Sequence, residues 1–429
     1  MAEKTKQPLE MYLLAITAMC QRFAFWGIGY LLVIYLVQFK NFTDMDADHL
    51  FGIFTGAAFV LPVLGGYIAD RMNYRLPVIW GMISTAIGCF LMATGYLPLI
   101  YLALIFTAVG GAIFTPSIYA ILGNVYRHKH HLRDGGFTIY YAMFNFGVFI
   151  SLIILGALGQ AKLWNIAYIF AGIVQLVGLI PFAKVLKNPD VMRLSSPKLP
   201  SKQQKEAPLH PHEKARIVVI LVLSLFSIIF WMAYNQSGSS MNLFALRFTD
   251  RHVLGFTMPP SWLLSSENLY QIILVFPLAA LYHFLAKRKL DPSPITKSAL
   301  SLIILGLCFF IMAYGSGHIP PGAQSASLSP WYLLSAYALM SFGEMLICPI
   351  GLSLITHLSP HRFTALLVGV WYLCIGIGFY LGGVLAGLMS FLPSLSQFFN
   401  IFVVITFISG IILLFVSKKL SQMRHLESL

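Results

Sequence analysis

KNPDVMRLSSPKLPSKQQKEAPLHPHEKAR, Lys187 to Arg216, is the only long polar stretch in a chain of 429 residues. Rich in Pro, Ser and Lys, it reads as a linker, and what it separates decides the fold. On either side run apolar segments of about 20 residues, the length that crosses a bilayer. Those before it lie near 11–38, 50–69, 76–95, 98–125, 137–158 and 165–186. Those after it lie near 216–244, 262–285, 297–314, 330–356, 363–389 and 397–417. Several exceed one bilayer thickness, which implies tilt or a tail beyond the lipid. The expectation is an all-α membrane protein with twelve transmembrane helices in two bundles. An N-terminal six-helix bundle would span 1–186, a cytoplasmic linker 187–215 and a C-terminal six-helix bundle 216–429.

Composition agrees. The chain is 58% hydrophobic and only 10% charged, with a mean hydropathy of +0.79, against about 25% charged residues in a soluble domain. So little polar surface cannot cover the chain in water. The first apolar run is too long for a removable signal peptide and lacks its cleavage pattern. Cys20, Cys89, Cys308, Cys348 and Cys374 sit inside apolar runs without metal-ligand spacing, as packing residues do. The His-rich YRHKHHLRD, Tyr126 to Asp134, carries one carboxylate and no cysteine, so it reads as a solvated basic loop. No motif calls for a cofactor. The net charge of +13 is a topology signal. Lys40, Lys162, Arg247 and Arg251 lie on one side and Arg22 within the membrane, leaving the other lysines and arginines on the opposite side. The positive-inside rule puts that side, with both termini, in the cytoplasm of a plasma membrane. A basic excess so placed implies no nucleic-acid partner.

Few charges remain at membrane depth. In AMCQRFAFWG (Ala18 to Gly27), Arg22 follows Gln21 with no carboxylate within two turns. A cation there costs from about 2.5 to over 10 kcal/mol unless something inside the protein compensates it. Glu344, in SFGEMLICP, lies deep in the tenth span. Glu267, in SSENLYQ, lies near the outer end of the eighth, where water could reach it. A cation in one half and carboxylates in the other suit a zwitterion, its carboxylate on Arg22 and its ammonium on Glu344. A plain structural ion pair is the alternative, although such a pair adds little stability. GGYIADRMNYR (Gly65 to Arg75) closes the second span and opens the third. Asp70, Arg71 and Arg75 in that turn suit a gate latch, or else a charged turn that only sets topology.

Six spans, a linker and six more resemble the major-facilitator architecture, in which the turn between second and third spans carries such a motif. More specific blocks narrow the resemblance. FWMAYNQSGSSMNLFALRFTDR (Phe230 to Arg251), GFTIYYAMFNFGVFI (Gly136 to Ile150), GEMLICPIGLSLITHLSP (Gly343 to Pro360) and QRFAFWG (Gln21 to Gly27) resemble blocks of the proton-coupled oligopeptide transporters. The resemblance runs along nearly the whole chain. It implies that Arg22, Asn145, Asn268 and Glu344 meet the substrate, Glu344 at a peptide's amino group. Asn235, Gln236 and Trp371 complete the expected substrate-binding set.

The departures matter as much. Where the family's first helix usually carries two glutamates, this chain has Ala18 and Gln21; its two tyrosines are Phe25 and Trp26 here. The fourth-helix lysine is Thr115, before Pro116, and the seventh-helix acid is Asn235. Removing two acids and one lysine moves the formal local charge from about zero to about +1, which makes Arg22 depend on Glu344, Gln21, water and a ligand anion. The linker also has no room for two extra helices found in many relatives.

These readings predict a secondary transporter of short peptides, amino acids or related zwitterions that works by alternating access. The expected partners are a small-molecule substrate, the lipid bilayer and protons, with Glu344 and Glu267 the groups left to carry the protons. A facilitator without coupling and a ligand-binding receptor with a transporter fold are the rival readings. An enzyme is not expected, since no nucleophile–base pair, metal cluster or phosphate loop occurs.

Overall fold

The computed structural model describes residues 6–127, 130–188, 210–253, 255–288, 290, 292–359 and 363–424. Within those ranges the side chains of 69, 70, 130, 131, 134, 283, 286, 349–357, 365 and 424 are outside the description. The chain is helical almost throughout. The first half forms α1 (Leu9–Lys40), α2 (Asp44–Arg71), α3 (Arg75–Ala93), α4 (Leu97–Val125), α5 (His130–Gln160), α6 (Trp164–Val177) and α7 (Leu179–Val185). The second forms α8 (Pro211–Tyr234), α9 (Ser240–Arg247), α10 (Pro260–Lys287), α11 (Pro294–Ser316), α12 (Trp331–Leu358), α13 (Thr364–Ala386) and α14 (Leu395–Arg424). Among the described residues, 12 segments are long and apolar enough to cross a membrane. They fall where the apolar runs placed them, with α6 and α7 sharing the sixth and α8 and α9 the seventh. Side chains such as Leu64, Ile105, Leu225, Phe276 and Phe415 are exposed on helix faces, as lipid-facing positions require.

Local chemistry sets the boundaries. Asn41 adopts a left-handed φ of 57°, which a short polar side chain tolerates, and α1 ends there. Thr43 then caps α2, its Oγ1 accepting the Asp46 amide at 3.1 Å while donating to the Asp46 carboxylate at 2.6 Å. The helix therefore starts at Asp44, about two turns before the apolar run that marks it in the sequence. Ser293 caps α11 by accepting the Thr296 amide at 3.1 Å, with Pro294 at the first helical position.

The seventh span is broken. A 3-10 turn, Asn235–Ser237, and the residues Gly238 and Ser239 interrupt it between α8 and α9. The sequence NQSGSS supplies the cause: glycine weakens a helix, and serine and asparagine compete for its backbone groups. Ser239 Oγ donates to the Asn235 carbonyl at 3.0 Å, and Gln236 Nε2 to the Met232 carbonyl at 3.3 Å. The interruption thus keeps freed carbonyls satisfied inside the protein.

The chain packs as two units. One comprises Met1–Tyr35 with Ala57–Lys202, and the other Leu36–Gly56 with Gln203–Leu429. The end of α1 and the start of α2, Leu36–Gly56, thus pack with residues of the second half. Small residues permit this. A Cβ on Gly52 would lie 2.8 Å from the Gly383 Cα of α13, so only glycine allows that approach. In the first unit the core gathers Met11, Leu14, Ala15 and Ala18 against Phe114, Ile118 and Phe182. In the second, Phe309 of α11 stacks on Phe402 of α14 with ring centres 4.9 Å apart.

Candidate functional site

In the first unit α1 carries Arg22, which is only 8% exposed. Its Nη2 donates to Thr115 Oγ1 of α4 at 3.1 Å. Its guanidinium carbon lies 4.3 Å from the centre of the Phe144 ring of α5 and 5.8 Å from that of Phe25. A guanidinium is planar and weakly hydrated, so aromatic faces stabilise it where water is excluded. The threonine replacing a lysine thus becomes an acceptor for the arginine. Phe25 is fixed in turn against Gly111, where a Cβ would lie 2.5 Å from the ring. Gln21, expected to help compensate Arg22, is fully buried with no hydrogen-bond partner among the described residues. Asn145 is buried and donates to the Tyr141 carbonyl of its own helix at 3.1 Å.

In the second unit the polar residues converge. Glu344 of α12 accepts from Tyr234 Oη of α8 at 2.9 Å and from Gln271 Nε2 of α10. Helical spacing aligns the participants. Glu267 and Gln271 are four apart on α10, and Tyr337, Ser341 and Glu344 lie on one face of α12. Ser341 Oγ donates to the Glu267 carbonyl at 2.8 Å, and Tyr337 Oη to the Ser237 carbonyl at 3.5 Å.

Glu267 itself departs from the expectation of a hydrated helix-end group. It lies two turns inside α10 and is 1% exposed. Neither carboxylate oxygen has a hydrogen-bond partner among the described residues, although Tyr234 and Ser237 are beside it and Glu344 is the charge acting on it. The helix begins at Pro260, so the position near the start of the apolar run is already interior.

The remaining expected residues divide. Asn235 Nδ2 donates to the Phe379 carbonyl at 2.9 Å, and Gln236 Nε2 to the Gly382 carbonyl at 2.8 Å. Gln236 Oε1 also accepts from Ser240 at 2.6 Å. Those side chains tie the helix break to α13. Asn268 and Trp371 are buried in the same unit. Of the gate residues, the Asp70 side chain lies outside the described residues. Arg71 is exposed over the Tyr67 ring at 4.0 Å, and Arg75 opens α3 with its amide on Asn73 Oδ1 at 3.3 Å.

Sequence reasoning missed Tyr234, Gln271 and Phe144, and also Asp48. That carboxylate is fully buried on α2 with neither oxygen hydrogen-bonded among the described residues. One turn earlier, Asp44 pairs bidentately with Arg247 of α9, one contact at 2.8 Å. The four-residue spacing in DMDADHL was the available signal. The apolar run begins beyond it, so hydrophobicity alone leaves Asp48 outside the span, whereas the structure buries it within α2.

Comparison with known proteins adds a name for this arrangement. The sequence profile of the POT family matches residues 76–185 and 200–413. The chain is 27% identical to the peptide transporter YePEPT of Yersinia enterocolitica, over 87% of this chain and 86% of that protein. It is 26% identical to the dipeptide and tripeptide permease A of Escherichia coli, over 97% and 94% respectively. Among solved structures, a peptide transporter POT in complex with sulfate superposes with a TM-score of 0.87 at 20% identity, covering 97% of this chain and 96% of that one. A POT family transporter in complex with 5-aminolevulinic acid gives 0.85 at 19% identity, covering 96% and 97%. At those identities the structures establish the shared fold.

Proposed function

The chain belongs to the POT family, and from that premise we propose that it carries dipeptides or tripeptides across a bacterial plasma membrane by alternating access. Glu344 is the observation that carries the reading. Two neutral donors, Tyr234 and Gln271, hold it as an acceptor, the state that receives a peptide ammonium by a charge-assisted hydrogen bond. Arg22 is the group for the peptide carboxylate, its fork oriented by Thr115 and the Phe144 ring. Asn145, Asn268 and Trp371 are the remaining substrate contacts, and Asp70, Arg71 and Arg75 the gate. Relatives at 26–27% identity that are named as peptide carriers support the substrate class.

The coupling ion is the proton, carried by the buried carboxylates. The distribution of lysine and arginine supports an orientation with both termini in the cytoplasm. Proteoliposomes loaded with dialanine test the reading by exchange with labelled dialanine. Exchange that is lost in Glu344→Gln supports it, and no exchange by the wild type overturns it. Orientation is checked in a cysteine-free background. Impermeant reagent added outside cells should label cysteines placed at Phe42 and Thr257 but not at Ser201.

A further inference from the structure

Coupling a proton to a peptide poses a problem for Glu344 alone. A carboxylate that receives an ammonium must be ionised, so it cannot hold the transported proton at the same time. Co-transport by this chain therefore needs a second acceptor that is near Glu344 and out of reach of the ligand.

Glu267 fits that description. It is buried, and both oxygens lack a hydrogen-bond partner among the described residues. On one side it meets Tyr234, the residue whose hydroxyl donates to Glu344 at 2.9 Å. Ser237 of the helix break is also beside it, and the buried Cys308 of α11 and Tyr337 of α12 are near enough to feel its charge. Ser237 Oγ also lacks a partner among the described residues. The titratable groups around Glu267 are thus Tyr234, Glu344, Cys308 and Tyr337. The helix break adds a reason for the location, since interrupted membrane helices are where transporters place coupling-ion sites.

We propose that Glu267 is the proton-storage site of this transporter, filled from Glu344 through the Tyr234 hydroxyl when a peptide ammonium arrives. The inference rests on the transport reading above and divides the work between the two carboxylates. With Glu344 protonated, its acid O–H donates to the Tyr234 oxygen and the Tyr234 proton points to Glu267. As the ammonium approaches, the O–H bonds of Glu344 and Tyr234 break, and new ones form on Tyr234 and Glu267. The products are an ionised Glu344, a neutral phenol and a protonated Glu267, with no net change in charge. Substrate and proton then occupy the protein together. In the structure Glu344 accepts from two donors, the arrangement expected once the proton has moved on.

Two measurements on the full chain in liposomes test this. The first is infrared difference spectroscopy of the carboxylic-acid carbonyl stretch, with and without dialanine at neutral pH. Wild-type protein should show a protonated-acid band that persists with dialanine bound and disappears in Glu267→Gln. A bound-state band unchanged by Glu267→Gln overturns the assignment, as does no band at all, the result expected if a sodium ion occupied the site. The second is the ratio of uptake driven by an inward proton gradient to gradient-free exchange. That ratio should fall at least about tenfold in Glu267→Gln and in Tyr234→Phe, one removing the store and the other the relay. Exchange intact with a wild-type ratio in Glu267→Gln overturns proton storage while leaving the transport reading standing. Loss of exchange in the wild type itself removes both.

Discussion

The two units solve the same problem, a charge where water is scarce, in opposite ways. In the first, a single guanidinium at membrane depth rests against the Phe144 and Phe25 rings and one threonine hydroxyl. In the second, Glu344 is surrounded by a phenol and an amide, with Glu267 beside the same phenol. The contrast follows from the ions. A delocalised cation can use the negative face of a ring, whereas a carboxylate needs N–H or O–H donors directed at its lone pairs. Aromatic residues can therefore replace acids around Arg22, but no apolar replacement serves Glu344. This explains how the chain can lack first-helix glutamates and keep the arginine.

The sharpest way to break the contrast is to remove the second unit's charge. Glu344→Gln keeps the shape and can still accept from Tyr234, but it offers an ammonium no opposite charge. Hydrogen bonds to charged groups contribute about 1.5–3 kcal/mol, so dialanine binding should weaken roughly 10- to 100-fold by calorimetry. N-acetylated dialanine, which has no ammonium, should bind the variant and the wild type alike. Equal loss for both ligands would show that Glu344 acts by holding the helices.

A charge-preserving change in the first unit should do less. Arg22→Lys retains the cation but loses the planar fork and the stacked face, and should weaken dialanine about tenfold, equivalent to roughly 1.4 kcal/mol. Unchanged affinity in Arg22→Ala would remove the residue from the site.

How much of this was readable beforehand depends on which physical signal carried it. Twelve spans and the membrane setting follow from apolar run length, and Arg22 and Glu344 stand out because a charge inside such a run is costly. Partners are a different matter. Tyr234, Gln271 and Phe144 are ordinary members of amphipathic or apolar runs, and their roles appear only when helices far apart in sequence are packed together. Asp48 was hidden by a boundary, since the Thr43 cap starts α2 before hydrophobicity rises. Asn235 and Gln236 stand out in the sequence, but their partners in α13 do not. Gln236 bonds the Met232 carbonyl beside the break, and both amides reach carbonyls of α13.

The smallest expected effect sharpens the comparison most, because it isolates the aromatic contribution to Arg22. Phe144→Leu keeps a bulky apolar side chain and removes the ring whose centre lies 4.3 Å from the guanidinium carbon. A buried cation–π contact contributes on the order of 1 kcal/mol, so dialanine should bind roughly fivefold more weakly. Dialanine amide, which lacks the carboxylate, should lose nothing beyond its own weaker starting affinity. Phe144→Tyr retains the ring face and should bind both ligands like the wild type. This pattern requires that the ring act through the arginine on the carboxylate end of the ligand. If Phe144→Leu weakened both ligands equally and Phe144→Tyr did the same, the ring would be filling space in α5, and Thr115 would be left as the polar group that orients Arg22.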